Sequence, residues 1–350
     1  MVVTHPARSF ARLAVLVSAL SGFSSAAQAQ GEVNIYSYRE PQLIDPLLKA
    51  FTDKTGIKAN VVYAAAGLNE RLAAEGQNSP ADLLFTVDAG RLSEAKDAGL
   101  TQPTDSNVLK QVVPAQFRDP GNHWFGLTMR SRVVYASKER VKQDSITYEE
   151  LADPKWKGKI CIRSGQHVYN TSLIATMIAH KGEAATEAWL KGVKANLAHK
   201  PAGGDREQAR DIFSGKCDLA LGNTYYMALM MKNEKNPEQQ QWAGAIKILF
   251  PNAGDRGSHV NISGMAMAKH APNKANALKL MEFLASEEAQ KIYATANNEY
   301  PVNSGVPASD IVRSWGTLKA DALPLENIAK YRKKASELVD KANFDAGPSS

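Results

Sequence analysis

Short apolar runs of β-forming residues alternate with segments of helical periodicity along most of the chain, a pattern that implies parallel sheets covered by helices. The first run, EVNIYSY (residues 32–38), predicts a strand. In the following PQLIDPLLKAFTDKTG, Leu43, Leu47 and Phe51 share one helical face, Pro46 lies in the first turn or at a kink, and Gly56 ends the helix. IKANVVYA and ADLLFTV read as strands on either side of a helix at LNERLAAEGQ, and Asp88 stands where it caps a helix that stops at Gly99. The alternation resumes at KGKICIRSG. Helices are predicted from about Thr171 to Lys181, at EAATEAWLKGVKANL and at DREQARDIFSG, where Asp205 and Gln208 fit a capping box. The strand CDLALGN follows and runs into TYYMALMM.

Two segments read as crossings between lobes: WFGLTMRSRVVYAS (124–137) and ILFPNAGDRGSHVNISGMAMA (248–268), the second with a loop rich in Gly and Asn. They divide the chain into a discontinuous first lobe, residues 31–128 plus 264–350, and a second lobe, residues 129–263. YRKKASELVDK near the end reads as an amphipathic surface helix.

Composition changes this picture at one end of the chain. Arg8 and Arg12 precede an apolar run that closes on Ala27-Gln28-Ala29, which predicts a secretory signal over residues 1–29 with cleavage after Ala29. The run from Leu13 to Phe23 is shorter than the roughly 20 apolar residues of a spanning helix, so the expectation is export without membrane insertion. Removing Arg8 and Arg12 lowers the formal net charge from +6 to +4. With no clustered basic face or stacking motif, nothing points to nucleic acid. The even pair Cys161 and Cys217, each opening a strand-like run, suggests a disulfide in an oxidising compartment, two buried thiols being the alternative.

Candidate chemistry concentrates at strand ends, where open α/β sheets bind their ligands. Tyr225 and Tyr226 follow CDLALG after Asn223 and Thr224, and Tyr169 follows KICIRSGQHV ahead of Asn170, a candidate helix cap. Tyrosines also line the half-wet rims of clefts for packing alone. Three phenols at one sheet edge, however, form a hard anionic donor set once ionised. A free phenol loses its proton only near pH 10, so a bound cation has to supply the reason for ionisation at neutral pH. A trivalent hard ion does this best, and three phenolates neutralise its charge.

At these residues the chain resembles the periplasmic ferric-ion-binding proteins that deliver iron to ABC importers. The resemblance covers VNIYSYREPQLIDPLLKAFTDKTGIK, SPADLLFTVDAGRL, PAQFRDPGNHWFGLTMRSRVVYASKERV, ICIRSGQHVYNTSLIATMI, GNTYYMAL and NEYPVNSGV. It implies an α/β, type II periplasmic binding protein fold, two α/β lobes joined by two crossover strands with a cleft between. It also implies Fe(III) as cargo, Tyr169, Tyr225 and Tyr226 as its ligands, an inner-membrane ABC permease and its ATPase as partners, and a monomer in the periplasm. Many relatives place a His, a Tyr or both soon after the position of Tyr38-Arg39, whereas this chain has Glu40-Pro41. It therefore resembles the subgroup that binds iron through three tyrosines of one lobe plus a small synergistic anion, carbonate being the expected one.

Arg39 at the end of the first strand and Arg130 in the first crossing are the expected anion holders, because guanidinium forks bind planar oxyanions. Braces between the lobes are their alternative role, and Arg132 and Arg163 are weaker candidates. Tyr38 and Glu40 are candidate contributors from the first lobe, and His167 is expected at the cleft edge. A site for thiamine or another small organic cation is the competing cargo, since tyrosine faces attract cations. A thiol enzyme using Cys161 or Cys217 with His167 is the competing class, although no oxyanion-hole motif accompanies them.

Overall fold

The computed structural model describes residues 1–3 and 31–348, so the leader predicted over residues 1–29 lies, past its first three residues, outside the described chain. Among the described residues nine strands form the frame: β1 (Glu32–Ser37), β2 (Lys58–Tyr63), β3 (Leu83–Thr86), β4 (Trp124–Ser137), β5 (Ile160–Cys161), β6 (Leu219–Asn223), β7 (Ile246–Leu249), β8 (Val260–Met267) and β9 (Tyr300–Pro301). Their order is β2-β1-β3-β8-β4-β6-β5, with β7 and β9 also paired to β4.

The pairing is mixed, where the alternation of strands and helices predicted parallel sheets. β2, β1 and β3 are parallel to one another, as are β5 and β6. The connecting strands β4 and β8 run antiparallel to all their neighbours. The difference comes from the crossings, which return the chain from one half of the sheet to the other.

β1 shows why these runs become strands. Alternate side chains point to opposite faces, so Val33 and Ile35 join a core with Leu47 and Phe51 of the Asp45–Thr55 helix. Tyr36 and Tyr38 face the other way and pack with Leu68, Leu72 and Leu84. A strand covered on both faces carries apolar residues in both phases. The helix after β1 stops at Gly56, whose φ of 70° lies in the left-handed region that favours glycine.

β4 is the structural axis. Trp124 to Ser131 pair with β8, and Arg132 to Ala136 pair with β6. The register shifts between Gly126 and Thr128, and a Cβ on Gly264 of β8 would stand 2.7 Å from the Phe125 carbonyl oxygen, so glycine permits the close approach there. The second predicted crossing separates into β7, a turn region and β8, of which β8 continues across. The Leu325–Lys341 helix buries Leu325, Ile328, Ala335, Leu338 and Val339, and packs against both the Val168–Lys181 and the Ala89–Asp97 helices.

Candidate metal centre

β6 ends at Asn223 and a helix starts at Thr224, so Tyr225 and Tyr226 occupy the first turn of the Thr224–Met231 helix. Tyr169 likewise sits in the first turn of the Val168–Lys181 helix. The cap of that helix is His167, whose Nδ1 accepts from the Tyr169 N–H at 3.3 Å. Asn170, the cap expected from the sequence, lies inside the helix and is buried. Its Oδ1 accepts from Arg132 Nη2 at 2.9 Å, which removes it from capping.

The three phenols meet. The hydroxyls of Tyr169 and Tyr225 are 3.1 Å apart, and the rings of Tyr225 and Tyr226 lie 4.2 Å apart between centroids. All three line a cavity of about 870 Å³, together with Tyr38, Arg39, Glu40, Arg91, Arg130, His167 and Arg206. Burial, reinforced by the neighbouring phenols, holds the Tyr225 and Tyr226 hydroxyls well above the usual phenol range. They are therefore neutral at physiological pH. His167 is driven the other way, to about 3, by burial and by Arg163 and Arg132, and stays neutral.

Three guanidinium groups surround Tyr169: Arg163, Arg130 and Arg132 lie 5.2, 5.5 and 5.8 Å from its ring centre. Their surroundings differ. Arg132 is bound by Asp205 at 2.7 Å and by Asn170 and Asn223, and Arg163 reaches the other Asp205 oxygen at 3.1 Å. Asp205 is thus held by two arginines and the Asn223 N–H, and does not cap its own helix. The helix start is capped from within instead, the Glu207 carboxylate accepting from the Gly204 N–H at 2.8 Å, in place of the capping box predicted at Asp205 and Gln208.

Arg130 has no carboxylate partner among the described residues. Its Nη1 lies 3.3 Å from Ser263 Oγ, and its buried Nη2 has no hydrogen-bond partner. Arg39 donates to the same Ser263 Oγ but is also forked onto Glu299, at 3.3 and 3.0 Å. Glu299 accepts in turn from Thr128 Oγ1 at 2.7 Å. Tyr38 is a wall residue, since its hydroxyl bonds the Asn69 backbone N–H at 2.8 Å and Arg91 covers its ring at 4.3 Å. Glu40 is exposed on the cavity lining.

Ser263, Glu299, Asp205 and Arg206, which stacks 4.8 Å from the Tyr226 ring, were not singled out from the sequence as site residues. Only Glu299, within NEYPVNSGV, carried a signal there. Cys161 and Cys217 form a disulfide, their Cα atoms 5.8 Å apart, which leaves no free thiol for a nucleophile.

Residues 78–315 match the family model of the bacterial extracellular solute-binding proteins. The chain belongs to that family. This solute-binding protein is 44% identical to iron uptake protein A1 of Synechocystis over 317 residues, 90% of this chain and 88% of the relative. Among solved structures it is similar to the Bordetella ferric binding protein, at 56% identity and a TM-score of 0.85, over 90% of this chain and 99% of that one. It also resembles a Trichodesmium protein solved in complex with iron and citrate ligands, at 43% identity and a TM-score of 0.86, over 90% of this chain and all of that one. The architecture they share is the two-lobed type II binding-protein fold, in which strands such as β4 and β8 join the halves.

Proposed function

We propose that this protein binds ferric iron outside the cytoplasm through the phenolates of Tyr169, Tyr225 and Tyr226, and hands it to an ABC permease and its ATPase in the inner membrane. A small synergistic anion, carbonate, completes the coordination and is held chiefly by Arg130, with Arg39 beside it across Ser263. Residues 129–263 form the lobe that carries the tyrosines, and residues 31–128 with 264–350 form the lobe that closes over them. Glu40 is an exposed first-lobe carboxylate of the lining, placed to meet the cargo.

The observation that carries this reading is the convergence of three buried or half-buried phenols, two of them with hydroxyls 3.1 Å apart, on one cavity wall beside an arginine without a carboxylate partner. Phenols packed together keep their protons, since ionising one raises the next. A trivalent cation is able to displace all three protons, and the small anion fills the coordination positions that the phenolates leave open. The names of the relatives, iron uptake protein and ferric iron-binding protein, support the same cargo. An organic cation fits less well, because Arg39, Arg91, Arg130, Arg206, Lys232 and Lys235 outnumber Glu40 and Glu299 in the lining.

Titration of the purified mature chain with Fe(III), with and without bicarbonate, tests the proposal by visible absorption. A phenolate-to-iron charge-transfer band should grow to one equivalent. Tyr225→Phe should lower iron affinity by more than about a hundredfold, beyond what loss of an indirect supporting group does at a metal site. Undiminished colour and affinity in that variant would remove the tyrosines from the assignment.

A further inference from the structure

Cys217 precedes β6, whose other end leads to the tyrosines, and there the disulfide has two companions. His199 Nε2 lies 3.3 Å from Cys161 Sγ and 3.3 Å from Asp211 Oδ2, and the three donor atoms all fall within 4.8 Å of one another. Cys217 Sγ, bonded to Cys161, completes a group of two sulfurs, one imidazole nitrogen and one carboxylate oxygen. None of these four residues lines the cleft.

We propose that reduction of this disulfide opens a second metal site, in which one Zn²⁺ is held by Cys161, Cys217, His199 and Asp211. Zinc takes four ligands in a tetrahedron, and its bond lengths place a sulfur and a nitrogen about 3.5 Å apart, and a nitrogen and an oxygen about 3.4 Å apart. The observed separations of 3.3 Å already approach both edges. The sulfurs must part from bonding distance, which needs the bond to break, and the donor atoms of Cys161, His199 and Asp211 must draw in from the 4.8 Å over which they now spread.

The surroundings are those of a ligand set. His199 Nδ1 lies 2.8 Å from the Lys200 carbonyl oxygen, to which it donates, and this leaves the Nε2 lone pair directed at the cluster. Lys216 and Arg210 engage the other Asp211 oxygen, at 3.1 and 3.3 Å, and leave Oδ2 free. Two thiolates and a carboxylate exceed the charge of Zn²⁺ by one, and these two cations offset the excess. The sulfurs are buried, while His199 is a third exposed and provides the entry path.

The chemistry balances with a dithiol as reductant. It breaks the Cys161–Cys217 bond, delivers two electrons and two protons to the sulfurs, and is itself oxidised to a disulfide. Zn²⁺ then forms two Zn–S bonds and releases the two thiol protons. A disulfide reagent reverses the step by thiol–disulfide exchange: it takes up the two electrons, leaves as a dithiol, and the re-formed Cys161–Cys217 bond expels the metal.

The test uses the full mature chain, oxidised or reduced with a phosphine that is then removed anaerobically, and titrated with Co²⁺ before displacement by Zn²⁺. The reduced protein should take up one Co²⁺ with intense tetrahedral bands and a thiolate charge-transfer band, which one equivalent of Zn²⁺ abolishes. The oxidised protein should show neither. His199→Ala, which leaves the disulfide and the oxidised fold intact by circular dichroism, should weaken Co²⁺ binding at least about tenfold. Tyr225→Phe should leave the bands unchanged, which separates this site from the iron cleft. Absence of the bands in reduced protein, equal affinity in His199→Ala, or loss of the fold on reduction that Zn²⁺ does not restore would each overturn the proposal.

Discussion

Arg130 and Arg132 stand two residues apart on β4, project from the same face and are both almost wholly buried, yet the regions around them are built on different terms. Around Arg132 the partners are complete: Asp205, Asn170 and Asn223 take up its guanidinium, and Arg163 takes the remaining Asp205 oxygen. Around Arg130 there is one long contact to Ser263 and an unpartnered nitrogen. A buried charge with its hydrogen bonds satisfied is part of the fold, whereas one left short calls for an acceptor from outside. The boundary between the two falls where β4 changes partners from β8 to β6.

The most forceful way to break this comparison is Arg132→Met. It leaves Asp205 buried with only Arg163 and a backbone N–H, and should cost about 3 kcal/mol, the lower end for breaking a buried pair. A urea midpoint measured on the iron-free protein checks it. A smaller stability effect but a functional one is expected of Arg130→Gln. Its unfolding free energy should stay within about 1 kcal/mol of the parent, while iron affinity in bicarbonate drops at least about tenfold and loses its dependence on bicarbonate. Should Arg130→Gln destabilise as Arg132→Met does, with unchanged bicarbonate dependence, the two regions are of one kind and the anion role is lost.

Acidification sharpens the contrast at the smallest scale. His259, packed near both arginines, is held to about 3 by burial and then by Arg130 and Arg132, below its ordinary 6.5. Its depressed value means that the stability it provides is complete above about pH 6.5 and is lost as pH falls toward 3. That single group changes stability by at most about 1.4 kcal/mol per pH unit. If iron is held by three phenolates, as proposed, it competes with up to three protons, and its affinity should fall by as much as about a thousandfold over one unit. In an acid titration the visible band should therefore disappear before the far-UV circular dichroism changes.

Much of the frame was legible from periodicity, because β1, β3 and β6 and the helices around them bury continuous apolar runs. The cap at Asp88 was legible for the same local reason: its side chain accepts from the Arg91 N–H at 3.0 Å, as the sequence spacing implies. Asp205 was misread because the local signal was outbid by a distant one. Its capping geometry needs only neighbours in sequence, while its actual partner, Arg132, comes from 73 residues away. Glu299 and Ser263 escaped for that reason too, being 260 and 224 residues from Arg39. The tyrosines stood out because two are adjacent at a strand end, a placement that periodic packing does not require.

β4 and β8 form a two-stranded ribbon that belongs to both halves of the sheet, and a ribbon of that kind behaves as a pivot. Were one half to turn against the other, displacement would grow with distance from the axis, so residues far from the ribbon would sweep longer arcs than those on it. Arg130 and Ser263 lie on the ribbon itself, close to zero travel. An anion held there, as proposed, would keep its seat through such a swing while the far wall arrived or departed. Loading and discharge are then separable in time, the anchorage persisting after the outer contacts have let go.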